Sequence, residues 1–548
     1  MNESNKLTKS LTAVFRIVIS AFMLFLMGVL SMASILGTTG MEIVKEGEGK
    51  DNVVQHIREQ IEAVVFYNDN ILANILWLAV CFALVYLLMP LLKKLPLWAE
   101  LLIVAVWTTA LGIWWVNTSN VAPSEDSWVV SQTAIDFSKG DFHAIAEGER
   151  YFRNYPFQLG FVLFEEVLIH IAGIFGEVEN LIFIQDISVV LLASSYVAML
   201  LMLNSIFEDK RIRHVAFLLL LFCIQPIISC TFLYGIVPGF VFSVWAVYLE
   251  ICFIKSEKWH KKLIFGILSA FCITLSVIIK TNNLIVLVAM VMLAVVTAFR
   301  DKKSLLNIVL SVVCVISCSV TPDAIASMYE KRADVELGAS VPMISWFAMG
   351  MQEASNAPGW YNAGATLGNL DSAGMDEEKA AEQSKQEIKK RIGDFANDPQ
   401  YRNDFFYKKY TSVWNETSYQ SLWNNKVRWQ YKDKTGLAKW ACGDGERAVK
   451  SYMDIFAQFI FILCLCGIIY CIKQKNTFAM VMPLIVLGGM MYHLLAEAKS
   501  QYALPYFVWL TFFAACGFIF LYDKVKPLHF RKKDTVEIAE NTEKTDVA

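Results

Sequence analysis

Long apolar stretches dominate this sequence and limit what it can fold into. Thirteen of them approach the length of about 20 residues that a helix needs to cross a bilayer. Because 56% of the 548 residues are hydrophobic and 18% are charged, lipid is needed to cover the excess apolar surface. We therefore predict an all-α polytopic membrane protein with about 12–13 transmembrane helices. The stretches occupy residues 11–36, 71–91, 97–117, 157–176, 181–206, 214–232, 235–254, 262–279, 283–300, 304–321, 453–472, 477–495 and 502–522.

Basic residues indicate the orientation of these stretches, since Lys and Arg collect in short cytoplasmic loops. The predicted cytoplasmic set includes Lys6 and Lys9, "KSEKWHKK" at 255–262 and "KVKPLHFRKK" at 524–533. Both chain termini are then cytoplasmic, which requires an even number of crossings. One stretch is then surplus, and the candidate is 157–176. Charges at membrane depth are costly, and this stretch contains three ionisable residues, Glu165, Glu166 and His170. The alternative is that all of the stretches cross and that the loop at 208–214 breaks the charge rule.

Polar segments between the apolar stretches suggest how the chain is divided. The longest, 322–452, is predicted to be a small extracytoplasmic domain between the last helices, with a surface helix at 375–395. The predicted divisions are N-terminal helices with an outer loop (1–96), a membrane core (97–321), the outer domain (322–452), C-terminal helices (453–522) and a cytoplasmic tail (523–548).

Composition excludes several classes of function. The net charge is -3, and no long basic block with interleaved aromatic residues is present, so nucleic acid is not an expected partner. Of the 12 cysteines, only Cys442 lies in a polar region. Neither a disulfide framework nor a zinc site is therefore expected.

Two adjacent carboxylates, Glu125 and Asp126 in "SEDSW", follow an apolar stretch on the predicted outer face. A carboxylate there could act as a general base or hold a divalent metal through its oxygens. The alternative is that both are ordinary acidic residues at the membrane interface.

Cations and amides gather at other junctions on the same face. Arg150 and Arg153 lie among aromatic residues, and the planar arginine fork suits phosphate, although interface anchoring is the alternative. The hairpin "IIKTNNLIV" presents Lys280 with two amides, Asn282 and Asn283, and this lysine either binds phosphate or extends to the surface. The junction "AEAKSQYALPYF" adds three polar side chains, Lys499, Gln501 and Tyr502. The set suits a lipid-phosphate head group.

Tryptophans could complete such a site by stacking on sugar faces, although most are expected to anchor the protein at the membrane interface. The candidates are Trp128, Trp346, Trp360 and Trp414.

Four motifs in order carry a family resemblance. The acidic pair is followed by "Y-P-x-Q-x-G" (Tyr155, Pro156, Gln158, Gly160), then by "K-T-N" from Lys280 and by "Y-x-L-P" from Tyr502. This arrangement resembles the polytopic GT-C glycosyltransferases, in particular bacterial relatives of the protein O-mannosyltransferase (family 39-like) group. The resemblance extends from about residue 97 onward.

The resemblance implies inverting transfer of a sugar from a polyprenyl-phosphate carrier outside the membrane. It assigns the catalytic base to Asp126, or less firmly to Glu125. The late basic residue that contacts the donor phosphate in the family is Gln501 here, and Lys499 is its possible replacement. The donor phosphate is expected to bind Lys280, Lys499, Arg150 and Arg153. Substrates are expected to contact Tyr155, Gln158, Asn282, Asn283, Gln501, Tyr502 and Trp414.

The implied partners are the polyprenyl-phosphate sugar, membrane lipids, and an extracytoplasmic glycan, glycolipid or protein acceptor. No cofactor is certain, and a divalent metal, Mg or Mn, is possible. The main alternative is a multi-spanning transporter or flippase of a lipid-linked sugar. Transporters usually place their site between repeats near the bilayer midplane, whereas the polar groups here gather at outer helix ends. A polymerase of another membrane fold and a scaffold protein are further alternatives.

Overall fold

A computed structural model of the protein describes residues 3–44, 61–146, 148–176, 179–298, 305–474 and 476–545. Helices account for most of these residues, and twelve of the described helices are long and apolar enough to cross a membrane. The predicted all-α polytopic membrane fold is therefore confirmed.

The helices follow one another with short connections through the first two thirds of the chain. They are α1 (Glu3–Leu36), α2 (Ile71–Leu92), α3 (Leu97–Ser119), α4 (Asp126–Ser138), α5 (Tyr151–Asn154), α6 (Leu159–Ile174), α7 (Leu181–Ile206), α8 (Arg211–Phe222), α9 (Gln225–Ser229), α10 (Ile236–Lys255), α11 (Trp259–Ile279), α12 (Leu284–Ala298) and α13 (Leu305–Ala333). The remaining helices are α14 (Met343–Gly350), α15 (Leu367–Ser372), α16 (Glu377–Asn397), α17 (Pro399–Trp414), α18 (Ser421–Val427), α19 (Gly436–Ala441), α20 (Glu446–Gln474), α21 (Val481–Leu495) and α22 (Ser500–Thr545).

Local sequence explains where several helices begin and end. The side chain of Asn70 accepts a hydrogen bond at 3.1 Å from the backbone N–H of Ala73, which satisfies a free amide at the start of α2. Asp376 and Asp398 cap α16 and α17 in the same way. Asn120 adopts a left-handed φ of 51° and ends α3. The chain therefore leaves α3 directly before the "SEDSW" segment.

The two ends of the helix bundle differ in chemistry. At one end, called the basic end, Lys93 lies over the ring of Tyr522 and Arg211 donates to Asp523. At the other end, called the loop end, Gln185 of α7 donates at 2.9 Å to the backbone oxygens of Val121 and Thr231. The loop end includes the polar connections that contain Asn120, Tyr234, Lys280, Asp334 and Ala496.

Helix α6, which corresponds to the suspected surplus stretch 157–176, packs in its first half against the last turns of two long helices at the loop end. Gly160 lies against the backbone of Ile278, the last turn of α11. Glu166 accepts a hydrogen bond at 2.7 Å from Arg332, in the last turn of α13. The chain after α6 then returns to α4 through the Lys139–Glu179 ion pair. Helix α6 is long and apolar enough to cross a membrane, and its assignment as the surplus stretch stays a prediction.

Helices α8 and α9 together connect the two ends of the bundle. Arg213 of α8 donates at 2.6 Å to the buried Glu100 near the basic end, whereas Gln225 of α9 donates at 3.2 Å to Thr417 O at the loop end. The predicted span 214–232 is thus two short helices with a break rather than one continuous helix.

Close helix packing fixes the C-terminal part of the bundle. A Cβ atom on Gly467 of α20 would lie 1.9 Å from Phe513 O of α22, and one on Gly517 would lie 1.9 Å from Leu463 O. Only glycine allows the two backbones to approach this closely, as in other small-residue contacts between membrane helices. The α20–α22 pair therefore supports the junction that precedes α22.

The predicted outer domain, residues 322–452, differs from the structure in its boundaries and in the elements that pack on it. The predicted boundaries at 321/322, 452/453 and 522/523 fall inside α13, α20 and α22, so these membrane helices continue past them. The predicted surface helix at 375–395 is confirmed as α16. A hairpin of β1 (Gly37–Val44) and β2 (Ile61–Asn68), which sequence reasoning missed, also packs on this domain. Its backbone bonds that of Asn415 and Asn356 at 3.2 and 3.0 Å.

Candidate functional site

A cavity of about 430 Å³ opens at the loop end of the bundle. Its lining combines carboxylates, lysines and aromatic rings from the segment before α6, the hairpin tips, α14 and the junction before α22. The lining residues are Glu125, Asp126, Tyr151, Tyr155, Phe157, Gln158, Tyr234, Ile279, Lys280, Thr281, Asn282, Met343, Trp346, Tyr361, Tyr492, Glu497, Lys499 and Tyr502.

The two adjacent carboxylates have different partners. Asp126 is the first residue of α4, where a negative charge suits the helix dipole, and its Oδ2 accepts a hydrogen bond at 3.1 Å from the Tyr234 hydroxyl. The side chain of Glu125 is 70% exposed and its Oε1 forms an ion pair at 2.6 Å with Arg428 Nη1. Glu125 also adopts a φ of 52°, a strained value for a residue with a side chain. Asp126 is therefore the carboxylate available to a ligand.

Tyr234 connects the carboxylate to a cation. The Lys280 Nζ lies 3.9 Å from the centroid of the Tyr234 ring and 5.2 Å from that of Tyr502. Gln158 donates at 3.0 Å to the Tyr234 hydroxyl and fixes its position. Burial lowers the pKa of Lys280 to about 8, and the nearby charges of Glu497 and Asp126 partly oppose this effect. Lys280 therefore lies in an electrostatic environment shared with two carboxylates of the cavity, and its ammonium group can bind a ligand anion.

The junction at 496–499 brings a further acid and base to the cavity. Burial raises the pKa of Glu497 to about 6, while the positive charges of Lys499 and Lys280 oppose the change. The backbone oxygen of Glu497 bonds His493 Nδ1 at 2.9 Å. The backbone N–H of Ala498 donates to Gly359 O at 2.9 Å, which ties the junction to the outer domain.

Lys409 of α17 is fully buried, and its side chain holds the junction at 496–499 in place. Its Nζ donates to the backbone oxygens of Gly350 and Ala496, the latter at 2.8 Å. Burial lowers the pKa of Lys409 to about 7, and Glu497 opposes the change. Gly359 lies against the Lys409 stem with a φ of +72°. A side chain there would be strained and would also displace the lysine.

We expect Lys409→Met to destabilise the protein by about 3 kcal/mol, because two buried carbonyls lose their donor. The neighbouring Lys408→Met is a matched control, since Lys408 is half-exposed and pairs with Asp404 on the surface. Its effect is expected to stay within about 0.5 kcal/mol. Chemical denaturation of both variants in micelles measures the difference. Equal stabilities would show that the Lys409 contacts do not hold the junction in place.

Aromatic side chains form another part of the lining, which we call the aromatic wall. It consists of four aromatic side chains, Tyr155, Phe157, Trp346 and Tyr361, together with the thioether side chain of Met343. The Trp346 ring centroid lies 6.0 Å from that of Tyr155 and 6.1 Å from that of Phe157. The hydroxyls of Tyr155 and Tyr361 lie 3.5 Å apart. None of the five side chains carries a charge at neutral pH.

Eight of the predicted site residues line this cavity together: Glu125, Asp126, Tyr155, Gln158, Lys280, Asn282, Lys499 and Tyr502. Five others lie outside its lining. Arg150 pairs with Asp371 at 3.3 Å, and Arg153 lies close to Gly338. Asn283 donates to Ser276 O at 3.1 Å, while Gln501 and Trp414 are buried in the protein.

Sequence reasoning missed several lining residues, notably Tyr234 and Glu497. Tyr234 lies in "FLYGIVPG" at a hairpin tip, which the predicted topology already placed on the same face as Lys280. Glu497 lies two residues from Lys499 in the junction that was singled out. Both were overlooked because tyrosines are common at membrane interfaces and one acid in a loop is usually solvated.

Metal ligands are sparse at the site. In the parts of the chain that the structure describes, no group of three or more His, Cys, Asp or Glu side chains could hold a metal ion. The carboxylates of the cavity are instead next to lysines or, in the case of Glu125, paired with Arg428. The divalent metal that the sequence left possible stays a prediction.

Comparison with known proteins gives a family. A family model described as conserved hypothetical integral membrane protein matches residues 70–517. The chain belongs to this family. The matched region begins just before α2 and includes all of the cavity-lining residues, whereas α1 and the hairpin lie outside it. No curated protein and no solved structure matches the chain. Family and fold together show a multi-pass integral membrane protein.

Proposed function

We propose that this protein is a GT-C-like membrane glycosyltransferase that moves a sugar from a polyprenyl-phosphate donor to an extracytoplasmic acceptor. One observation carries the proposal: Asp126 and Lys280 contact the same tyrosine, Tyr234, inside a cavity at the end of a membrane bundle. A carboxylate and a cation on one tyrosine provide the two groups that a glycosyl transfer needs. The carboxylate can accept the proton of the acceptor, and the cation can bind the leaving phosphate. The motifs that resemble GT-C enzymes contribute to the same cavity.

The reaction follows from the chemistry of these groups. The Asp126 carboxylate accepts the proton of an acceptor hydroxyl, and the acceptor oxygen attacks the anomeric carbon of the donor sugar. The bond from that carbon to the phosphate oxygen breaks, and the polyprenyl phosphate leaves with the electron pair. Attack opposite the leaving group inverts the anomeric centre. Lys280 and Lys499 stabilise the negative charge that develops on the phosphate.

Lys499 takes the place of the arginine that the resemblance led us to expect at Gln501. Gln501 is 3% exposed and is not part of the lining, whereas Lys499 is. A lysine binds phosphate as a point charge rather than through a bidentate fork. The proposed phosphate site therefore uses two lysines, and neither Arg150 nor Arg153 belongs to it.

The charge distribution supports an extracytoplasmic site. Basic residues that include Lys93, Lys210, Arg211 and Lys255 gather at the end of the bundle that is remote from the cavity. Because cytoplasmic loops are enriched in Lys and Arg, this end is the cytoplasmic one in our proposal. The cavity then faces outward, and both termini are cytoplasmic.

A donor panel tests the proposal directly. The full-length protein in lipid nanodiscs is offered polyprenyl-phosphate mannose, glucose and galactose with cell-envelope extract as acceptor, and release of polyprenyl phosphate is followed. We expect turnover of at least one donor. A flippase would instead move the intact, fluorescently labelled donor across vesicle membranes without cleaving it. Translocation without cleavage would transfer support to the transport alternative.

A further inference from the structure

The aromatic wall has a composition that the proposed phosphate chemistry does not explain. Met343 is 57% exposed and Tyr361 is 41% exposed, so the wall continues to the mouth of the cavity. Tyr155, Phe157 and Trp346 are half-buried and hold one another edge to face or tilted, which fixes the ring planes. A set of oriented rings at a cavity mouth is a preformed surface for a flat, partly apolar ligand.

The position of the wall argues against a role as a lipid anchor. Trp346 and Tyr155 pack against a small apolar core of the outer domain, formed by Val341, Leu370 and Ala380. Helix α16, which covers this core, is strongly polar and has both acidic and basic residues along its length. Three of the five wall residues, Met343, Trp346 and Tyr361, therefore belong to the domain that this polar helix covers rather than to the lipid-facing surface of the bundle.

The polar atoms of the wall are neutral. Burial raises the pKa of Tyr155, and its hydrogen bond with Tyr361 does so as well, so the hydroxyl stays protonated near neutral pH. Each tyrosine hydroxyl can donate and accept one or more hydrogen bonds. Uncharged hydroxyls beside ring faces match a ligand with its own hydroxyls and apolar C–H faces. They offer no charge to a peptide or to a second phosphate.

We propose that the aromatic wall is a subsite that binds a pyranose ring, with Trp346 inside the cavity and Tyr361 at its mouth. This inference rests on the proposed function, since the bound ring belongs to either the acceptor glycan or the donor sugar. The exposed position at the cavity mouth favours the acceptor. The wall would then select a glycan over a protein or an unglycosylated lipid as acceptor.

Binding of free oligosaccharides tests the subsite without any transfer reaction. The protein in nanodiscs is mixed with mannotetraose, maltotetraose or chitotetraose, and saturation-transfer NMR reports contact. We expect millimolar binding of at least one, a loss of at least fivefold in Trp346→Ala, and partial recovery in Trp346→Phe. Trp429→Ala is the matched control, because Trp429 is on the same end of the protein, is 73% exposed and lies outside the cavity.

A second arm identifies the source of the ring. Donor affinity of Trp346→Ala is measured with the polyprenyl-phosphate hexoses of the panel. Lower donor affinity with unchanged oligosaccharide binding assigns the wall to the donor sugar, and the reverse assigns it to the acceptor. If Trp346→Ala alters neither, the subsite is refuted. Donor turnover by the unmodified protein decides the proposed function separately, so failure of one proposal is distinguishable from failure of the other.

Discussion

Replacing Asp126 by Asn is expected to reduce sugar transfer by about 10³-fold, which is typical of the loss of a positioned general base. The asparagine amide has nearly the same shape as the carboxylate, so its oxygen can still accept the hydrogen bond from the Tyr234 hydroxyl. In the unmodified protein this bond is 3.1 Å long. The amide cannot accept a proton from the acceptor. We therefore expect normal donor affinity and normal thermal stability beside a collapsed turnover rate.

Glu125→Gln is the matched control for this variant, because the two acids are adjacent. The Glu125 carboxylate pairs with Arg428 and holds a strained backbone at the start of α4. Its loss should weaken the position of Asp126 and lower turnover by roughly tenfold or less, together with some loss of stability. Equal losses in both variants would assign the base role to the pair rather than to Asp126. Unchanged transfer by Asp126→Asn would remove this residue from the mechanism.

The sequence was sufficient to predict the membrane bundle and most of the charged part of the site. Apolar length alone located the helices, and the basic loops predicted that the junctions at Asp126, Lys280 and Lys499 share one face. Those three junctions do meet at one cavity. The prediction succeeded because a helical bundle in lipid has two ends, and the alternation of crossings assigns each junction to one of them.

Two arginines that the sequence assigned to the phosphate site, Arg150 and Arg153, show the limit of predicting a site from topology alone. Arg150 and Arg153 are on the predicted face, yet one pairs with Asp371 and the other lies near Gly338, because residues of the outer domain compete for them. Apart from the helix at 375–395, the sequence of the 322–452 segment does not indicate how the segment packs on the bundle. The contributions of Tyr361 to the cavity and of Lys409 to the junction before α22 therefore become visible only in three dimensions, whereas Trp346 was already among the tryptophans that the sequence offered for stacking on a sugar.

Replacing Lys280 by Met is expected to weaken donor binding by roughly 10- to 100-fold, the effect of losing one charge-assisted hydrogen bond to phosphate. Methionine keeps the length of the side chain and its contact with the rings of Tyr234 and Tyr502, which lie 3.9 and 5.2 Å from the Lys280 Nζ. The loss then reports the charge rather than the packing. Comparable losses of donor affinity and of unfolding free energy would instead indicate a structural lysine.

The pH dependence of donor binding further distinguishes a phosphate-binding role of Lys280 from a structural one. Burial lowers the pKa of Lys280 to about 8, with Lys499 contributing in the same direction and Glu497 and Asp126 opposing it. The charged form binds the donor, so affinity is present below this pH and is lost as the pH rises through about 8. A phosphodiester donor does not titrate in this range. Lys280→Arg keeps its charge to far higher pH, so its donor affinity should stay constant between about pH 7 and pH 10. If the unmodified protein and Lys280→Arg lose affinity at the same pH, the group that titrates is not Lys280.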